Sequence, residues 1–302
     1  MTIKEAYAQF VLRLLTVYEQ REAETITDWI FEDVAHIPRL DRIIAESKEL
    51  DSESDTKLSR ALDQLLVYTP VQYVLGEASF FKMRLKVNTN VLIPRPETEE
   101  VVSWVIEDYQ KRFTKSSSLN PLPNNNVIPQ VLDIGTGSGC IALALKKEIR
   151  ELSIMAIDVS EAALGVATNN AKDYNLEIDF RKIDFLQFEK FNMPDFDIIV
   201  SNPPYISETA RSGMARNVID HEPHLALFPG THDHLVFYKK TAEFGETHLK
   251  KNGAIYLEIP STDYNLIVHI FNQRNFKCIL RKDFYGMNRL IRCERIIKAP
   301  LD

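Results

Sequence analysis

Residues 1 to about 74 place apolar side chains at helical spacing. Phe10, Val11, Leu14, Leu15 and Tyr18 form one stripe, Leu40, Ile43 and Ile44 a second, and Leu58, Leu62, Leu65 and Leu66 a third. A stripe recurring every three to four residues marks the inward face of an amphipathic helix. The stretch is therefore expected to be a small bundle of short helices packed around all three stripes. Pro38 and the polar run from Glu49 to Asp55 interrupt the pattern. From Gly76 the period falls to two. Phe80, Phe81, Met83, Leu85 and Val87 predict a strand, Asn88-Thr89-Asn90 a turn, and Val91-Leu92-Ile93 the partner strand of a hairpin. Pro94-Arg95-Pro96 ends the hairpin. Glu97-Thr98-Glu99-Glu100 then opens a helix with acidic residues at its positive end.

Residues 114–130 are polar and rich in Pro and Asn, the texture of an inserted loop without chemistry. Beyond them short apolar runs alternate with amphipathic stretches. Strands are expected at Val131–Ile134, Ile154–Ile157, Ile178–Arg181, Phe196–Val200, Ala254–Ile259, Phe276–Leu280 and Leu290–Cys293. Helices are expected from Cys140, over Glu161–Tyr174 and over Leu235–Leu249. That alternation implies an α/β unit, an open and mostly parallel sheet with helices on both faces.

The 302 residues suffice for one large domain and one small one. Lys+Arg number 36 against 43 Asp+Glu, a formal charge of -7. This argues against a partner held by phosphate neutralisation. Residues 1–74 hold 8 Lys+Arg against 14 Asp+Glu, so the N-terminal part would sooner meet a basic protein surface than nucleic acid. Cys140, Cys278 and Cys293 are odd in number and lack metal-ligand spacing, which fits a reducing compartment. The start of the chain has no apolar leader, and no run is long enough to span a membrane. A cytoplasmic protein is expected.

The chemistry concentrates at strand ends. Asp133-Ile134-Gly135-Thr136-Gly137-Ser138-Gly139 follows the first strand of the alternating region and opens a helix. Glycines there let the backbone turn sharply and come close to a ligand. The spacing is G-x-G-x-G, with Cys140 where a dinucleotide fingerprint would have its third glycine, and the Asp133 carboxylate suits an ammonium group better than a pyrophosphate. Asp158 ends the next strand, where a carboxylate can accept ribose hydroxyls or cap the following helix. Asp184 can meet an adenine amino group or serve a turn, and Phe185 can lie on the adenine face or in the core. Ser201-Asn202-Pro203-Pro204-Tyr205 ends a later strand. An asparagine carboxamide and a backbone carbonyl, held by two prolines beside an aromatic ring, can grip a planar NH2 group and present its nitrogen to an electrophile. His221, His224, His232 and His234 cluster in sequence without a fixed helical spacing, and no metal is expected. Cys140 is read as a small packing residue.

In these motifs the chain resembles the class I S-adenosylmethionine-dependent methyltransferases. More narrowly it is similar to the HemK/PrmC family of protein-(glutamine-N5) methyltransferases acting on peptide chain release factors. The resemblance rests on Thr69–Gly76, on Leu92-Ile93-Pro94-Arg95-Pro96-Glu97-Thr98-Glu99, on Val131–Gly139 and on Ser201–Ile206. It implies a Rossmann-like domain with a seven-stranded sheet at 97–302, a β-hairpin linker at 75–96, and a helical docking domain at 1–74. It implies S-adenosyl-L-methionine as cofactor, held by Asp133, Gly135, Thr136, Gly137, Ser138, Gly139, Asp158, Asp184, Phe185 and Asn202. Catalysis would fall to Asn202, Pro203 and Tyr205. The substrate, the glutamine of a Gly-Gly-Gln loop in a class 1 release factor, would also meet Pro204, Arg95 and Glu97.

The segment Phe228–His234, Pro260-Ser261 and Asn288 depart from the family pattern. These departures are expected to leave the cofactor and amide grips untouched. Two other functions use the same residues. One is an amino-methyltransferase on nucleic acid, at adenine N6 or a ribosomal-RNA guanine, with Tyr205 stacked on a flipped base. The other is a non-catalytic adaptor that keeps the fold.

Overall fold

The computed structural model describes residues 1–113 and 128–296; the loop expected at 114–130 lies, through residue 127, outside the described residues. The chain divides into two units, Met1–Ala78 with Gly213–Glu222, and Ser79–Ser212 with the chain from Pro223 on.

The first unit contains α1 (Ile3–Leu14), α2 (Gln20–Asp33), α3 (Arg39–Ile44), α4 (Ser52–Leu66) and α5 (Val71–Leu75). Phe10, Leu14, Ile30, Phe31, Leu58, Leu62 and Leu65 close its core. The expected second stripe is corrected: Leu40, Ile43 and Ile44 are 65%, 64% and 74% exposed, and α3 buries no residue. The cause is Arg42, which takes the inward face of this short helix. Its guanidinium lies 4.7 Å from the Tyr7 ring centroid and donates to the Asp28 carboxylate, so the apolar neighbours turn outward. Leu15 is also exposed. The segment Gly213–Glu222 is held in this unit by His221, whose ring Nε2 lies 2.9 Å from the Val67 carbonyl, and by Arg216, 4.2 Å over the Tyr68 ring.

The hairpin differs from expectation. Its strands are β1 (Glu77–Phe80) and β2 (Met83–Lys86), and Val91–Ile93 forms no strand. The turn is Phe81-Lys82, with φ of 45° and 58°. Two-residue hairpin loops demand such left-handed backbone and usually recruit Asn and Gly for it. Here distant side chains hold the turn instead. The Phe81 amide donates to Glu99 Oε1 at 2.9 Å, and Lys147 Nζ donates to the Lys82 carbonyl at 3.3 Å.

The second unit continues with α6 (Pro96–Phe113), β3 (Gln130–Ile134), α7 (Cys140–Glu148), β4 (Ser153–Asp158), α8 (Glu161–Asp173), β5 (Asp179–Lys182) and β6 (Phe196–Ser201). After α9 (Arg216–Ile219), which belongs to the first unit, come α10 (His224–Leu227), α11 (Val236–His248), β7 (Leu249–Glu258), α12 (Tyr264–Gln273), β8 (Phe276–Lys282) and β9 (Asn288–Arg295). The expected mostly parallel, seven-stranded sheet forms in the order β5-β4-β3-β6-β7-β9-β8, with β9 antiparallel to both its neighbours.

Alternate strand residues serve opposite layers, as the two-residue period requires. Val131, Ile154, Ile198, Val200, Ala254 and Tyr256 pack into the core shared with α6 and α7. Leu132, Met155, Ile157, Ile199, Ile255 and Leu257 pack into the core shared with α11 and α12. Being covered on both faces explains why these strands read as continuous apolar runs. From β3 the chain steps outward to β4 and β5, then returns to place β6 on the other side of β3. Ligands of open α/β sheets bind beyond the carboxyl ends of the strands at such a reversal. The register Ile134↔Ser201 brings the residues after β3 and after β6 side by side at that edge. Among the described residues no helix is long and apolar enough to cross a membrane.

Candidate functional site

The loop after β3 is built before any ligand is considered. The amides of Gly135 and Thr136 both donate to the Ile157 carbonyl, at 2.9 and 3.0 Å, and the Gly139 amide donates to the Thr136 carbonyl at 2.8 Å. Asp133 is fully buried beneath it. Its Oδ2 accepts from Thr136 Oγ1 at 2.7 Å and from the Ala142 amide at 3.2 Å, tying the loop to the first turn of α7. Through Oδ2, Asp133 braces the loop from below. Asp133 Oδ1 and Ser138 Oγ are buried with no hydrogen-bond partner among the described residues.

Burial lifts the Asp133 carboxyl to about 7, against the opposing bonds from Thr136 and Ala142. An acid whose folded pKa lies above its unfolded value loses stabilising free energy as pH rises through that window. Asp133→Asn keeps a side-chain oxygen for Thr136 and removes the titration. The expected outcome is a melting temperature that changes less between about pH 4 and pH 7 than in the wild type. Parallel thermal melts across that range check it.

A cavity of about 270 Å³ opens where β3, β4, β5 and β6 end. Gly135 and Gly137 form part of its floor, and a side chain added at Gly135 would meet nothing within 4 Å. Asp158, Asp184, Phe185, Asn202 and Pro204 also line it. Asp158 Oδ2 accepts from the Gly137 amide and Oδ1 from the Ser160 amide, both at 2.9 Å. Burial raises its pKa, with those two amides opposing. Each carboxylate oxygen keeps a lone pair for a further donor. Asp184 caps the turn after β5 by accepting from the Leu186 amide at 3.0 Å. Phe185 lines the cavity and is also buried edge-on to Phe244, with ring centroids 5.5 Å apart.

Asn202 stands at the end of β6, and its Nδ2 donates to Thr98 Oγ1 at 3.0 Å. Thr98 Oγ1 donates in turn to Glu258 Oε2 at 2.6 Å, and the Tyr205 hydroxyl donates to Glu258 Oε1 at 3.2 Å. Thr98 lies inside the Leu92–Glu99 motif, but nothing in the sequence assigns a role to it or to Glu258. The available signal was a carboxylate closing the apolar strand β7, which costs several kcal/mol unless its oxygens are bonded. Burial raises the Glu258 pKa and pushes the Tyr205 hydroxyl well above the usual tyrosine range.

Thr136, Ser138, Gly139, Pro203, Tyr205, Arg95 and Glu97 are not among the residues lining the cavity. Conversely, Pro223, Leu225, Ala226 and Pro229 do line it, as do Asn90, Val91 and Leu92. Of the departures at Phe228–His234, Pro229 stands in the cavity wall. The histidine cluster gathers no metal site: among the described residues no three His, Cys, Asp or Glu side chains are grouped to hold an ion. The Cys140 thiol is pushed up to about 12 by burial, consistent with packing rather than nucleophilic duty.

Comparison with known proteins places both parts of the chain. Residues 5–76 match the PrmC N-terminal domain and residues 116–256 the methyltransferase small domain. A release factor glutamine methyltransferase from Flavobacterium psychrophilum is 41% identical over 97% of this chain and 99% of its own length. One from Streptococcus pneumoniae is 37% identical over 96% of this chain and 98% of its own. A solved structure from Alicyclobacillus acidocaldarius, a release factor-specific protein-(glutamine-N5) methyltransferase, is 26% identical, covers 70% of this chain and 99% of that one, and has a TM-score of 0.40. Matched over residues 5–76 and 116–256 by family models and along nearly its whole length by these relatives, the chain belongs to the release factor glutamine methyltransferase family.

Proposed function

We propose that the chain transfers a methyl group from S-adenosyl-L-methionine to the side-chain amide nitrogen of the glutamine in the Gly-Gly-Gln loop of class 1 peptide chain release factors, supporting translation termination. The observation that carries this reading is that one cavity, at the reversal of strand order, is lined by both the glycine turn and Asn202.

The cavity suits the cofactor. Its bare glycine floor admits close approach to the backbone, Asp158 can accept ribose hydroxyls, and Asp184 can accept from the adenine amino group. Phe185, Ile157 and Leu92 supply apolar surface for the ring. Asp133, Thr136, Ser138 and Gly139 act one layer away by holding the loop. When bound, S-adenosylmethionine supplies an electrophilic methyl group, whose transfer forms an N–C bond with loss of one amide proton and leaves S-adenosylhomocysteine.

The protein's task is to prepare the nitrogen. An amide lone pair is delocalised, so the amide must be held in a fixed orientation. Asn202 Oδ1 and the Pro203 carbonyl are suited to accept its two N–H bonds, with Pro204 in the cavity wall and Tyr205 suited to stack against the flat amide. Fixing such geometry removes several kcal/mol of barrier without a strong general base. Arg95 and Glu97, before and at the start of α6, are suited to meet the substrate loop.

Labelled S-adenosylmethionine, offered with a release factor or with DNA and ribosomal RNA, tests this. Label is expected on the release factor and lost when its loop glutamine becomes alanine. Label in nucleic acid alone would overturn the substrate; label in neither would favour an adaptor.

A further inference from the structure

We propose that Thr98 and Glu258 are positioning residues that fix which way the Asn202 carboxamide faces, so that the site offers a hydrogen-bond acceptor and selects an NH2 group. This rests on Asn202 being an acceptor for the substrate amide, as in the proposed function. The argument is one of proton direction. Thr98 is 2% exposed and has a single hydroxyl proton, donated to Glu258 Oε2 at 2.6 Å. Its oxygen is left only as an acceptor toward Asn202. The asparagine must therefore turn Nδ2 to Thr98, at 3.0 Å, and Oδ1 away from it, into the cavity that Asn202 lines. Were the carboxamide reversed, two oxygens would face each other without a proton between them.

Glu258 is held from several sides. Its other oxygen accepts from the Tyr205 hydroxyl at 3.2 Å, and the buried Tyr238 hydroxyl of α11 donates to its main-chain carbonyl at 3.0 Å. The charged and titratable groups facing its carboxyl are Glu97 of α6, Arg289 of β9, Tyr205 and Tyr238, with Cys140 at the start of α7. Asp283 in turn pairs with Arg289. Arg289 favours the ionised carboxyl while burial opposes it. As the carboxylate, Glu258 can only accept. Once protonated it can donate to Thr98, which frees the threonine proton for Asn202 Oδ1 and lets the carboxamide reverse. The lock thus predicts a loss of turnover on the acid side that Glu258→Gln abolishes.

The decisive experiment compares Thr98→Val, Thr98→Ser and wild type in the full chain. It measures kcat and KM for the release factor, affinity for S-adenosylhomocysteine, and the ¹⁵N side-chain amide signal of Asn202, assigned by its disappearance in Asn202→Ala. Thr98→Val is expected to lower kcat about a hundredfold, the cost of a misplacement near 1 Å, with KM and nucleoside affinity changed less than about threefold. Its Asn202 amide signal should lose the shift and slow exchange of a bonded group, and Thr98→Ser should recover both. A Thr98→Val enzyme with wild-type kcat, an unchanged Asn202 signal, or a kcat loss matched only by lower melting temperature and weaker nucleoside binding would overturn the lock. If the wild type methylates no release factor, the substrate reading falls, while the amide signal still decides the lock.

Discussion

Asn202→Ala is expected to lower kcat on the order of 10³-fold, with S-adenosylhomocysteine affinity reduced far less. The asparagine is half-buried at the end of β6, and its removal leaves the Thr98–Glu258 and Tyr205–Glu258 bonds in place. The fold should therefore survive, as far-UV circular dichroism would verify. On the proposed reading, what disappears is one of two acceptors for the substrate amide. The remaining carbonyl can hold one N–H but cannot fix rotation about it, so the productive orientation becomes a small part of the bound population. Because orientation matters most at the transition state, the loss should appear in kcat rather than in KM. Single-turnover rates with saturating cofactor measure it. A variant that still methylates at near wild-type rate would show that Asn202 does not orient the amide.

Gly139→Val should be the most damaging change in the loop after β3, lowering stability by about 2–5 kcal/mol. The residue caps α7 with φ of +82°, where a β-branched side chain is strained whatever the space. Space is also short. A Cβ there would lie 3.1 Å from Leu143 Cδ1, 3.2 Å from Ala167 Cβ and 3.4 Å from Ala167 Cα. The leucine tip can give way, but Ala167 is part of α8, and that helix is not free to retreat. Asn170, one turn along, donates from Nδ2 to the carbonyls of Ser138 and Lys86 at 2.9 and 3.0 Å and accepts from the Lys86 amide at 2.7 Å. Displacing α8 would drag on the loop itself. Denaturant unfolding should show the stability loss, and calorimetry with S-adenosylhomocysteine should show affinity falling at least about tenfold. Unchanged stability would mean that the close approach of α7 and α8 is not a real constraint.

Much of the second unit could be read from residue order because its signals are local. An apolar run such as Phe196–Val200 is buried on both faces, and a glycine turn followed by a helix leaves little choice of backbone. The parts that escaped depend on partners far away in sequence. Phe81-Lys82 turns only because Glu99 and Lys147 satisfy its backbone groups. Leu40, Ile43 and Ile44 look like a buried stripe until Arg42 finds Tyr7 and Asp28. At the site, Asn202, Asp158 and the glycines stood out by residue type and position. Thr98 lies within the Leu92–Glu99 motif without a role of its own, because a threonine near a helix start has an ordinary explanation in capping. Glu258 gains meaning only when Thr98 and Tyr205, contributed by other elements, meet its two oxygens. The burial of Asp133 and its bracing of the loop depend on Thr136 and Ala142, and residue type alone does not announce them.

The placement of Gly213–Glu222 with the helical unit has a consequence for dissecting the protein. The polypeptide passes between the two bodies three times, after Ala78, after Ser212 and after Glu222. The smaller body is thus assembled from two separate pieces of the chain. Cutting at residue 78 would not release an intact module from either side. The catalytic fragment would retain a strand of sequence whose His221 and Arg216 had lost Val67 and Tyr68. That orphaned stretch runs directly into Pro223, which lines the cavity beyond the strand ends. Separating the helical body whole would take cuts at Ser212 and Glu222 as well as at Ala78.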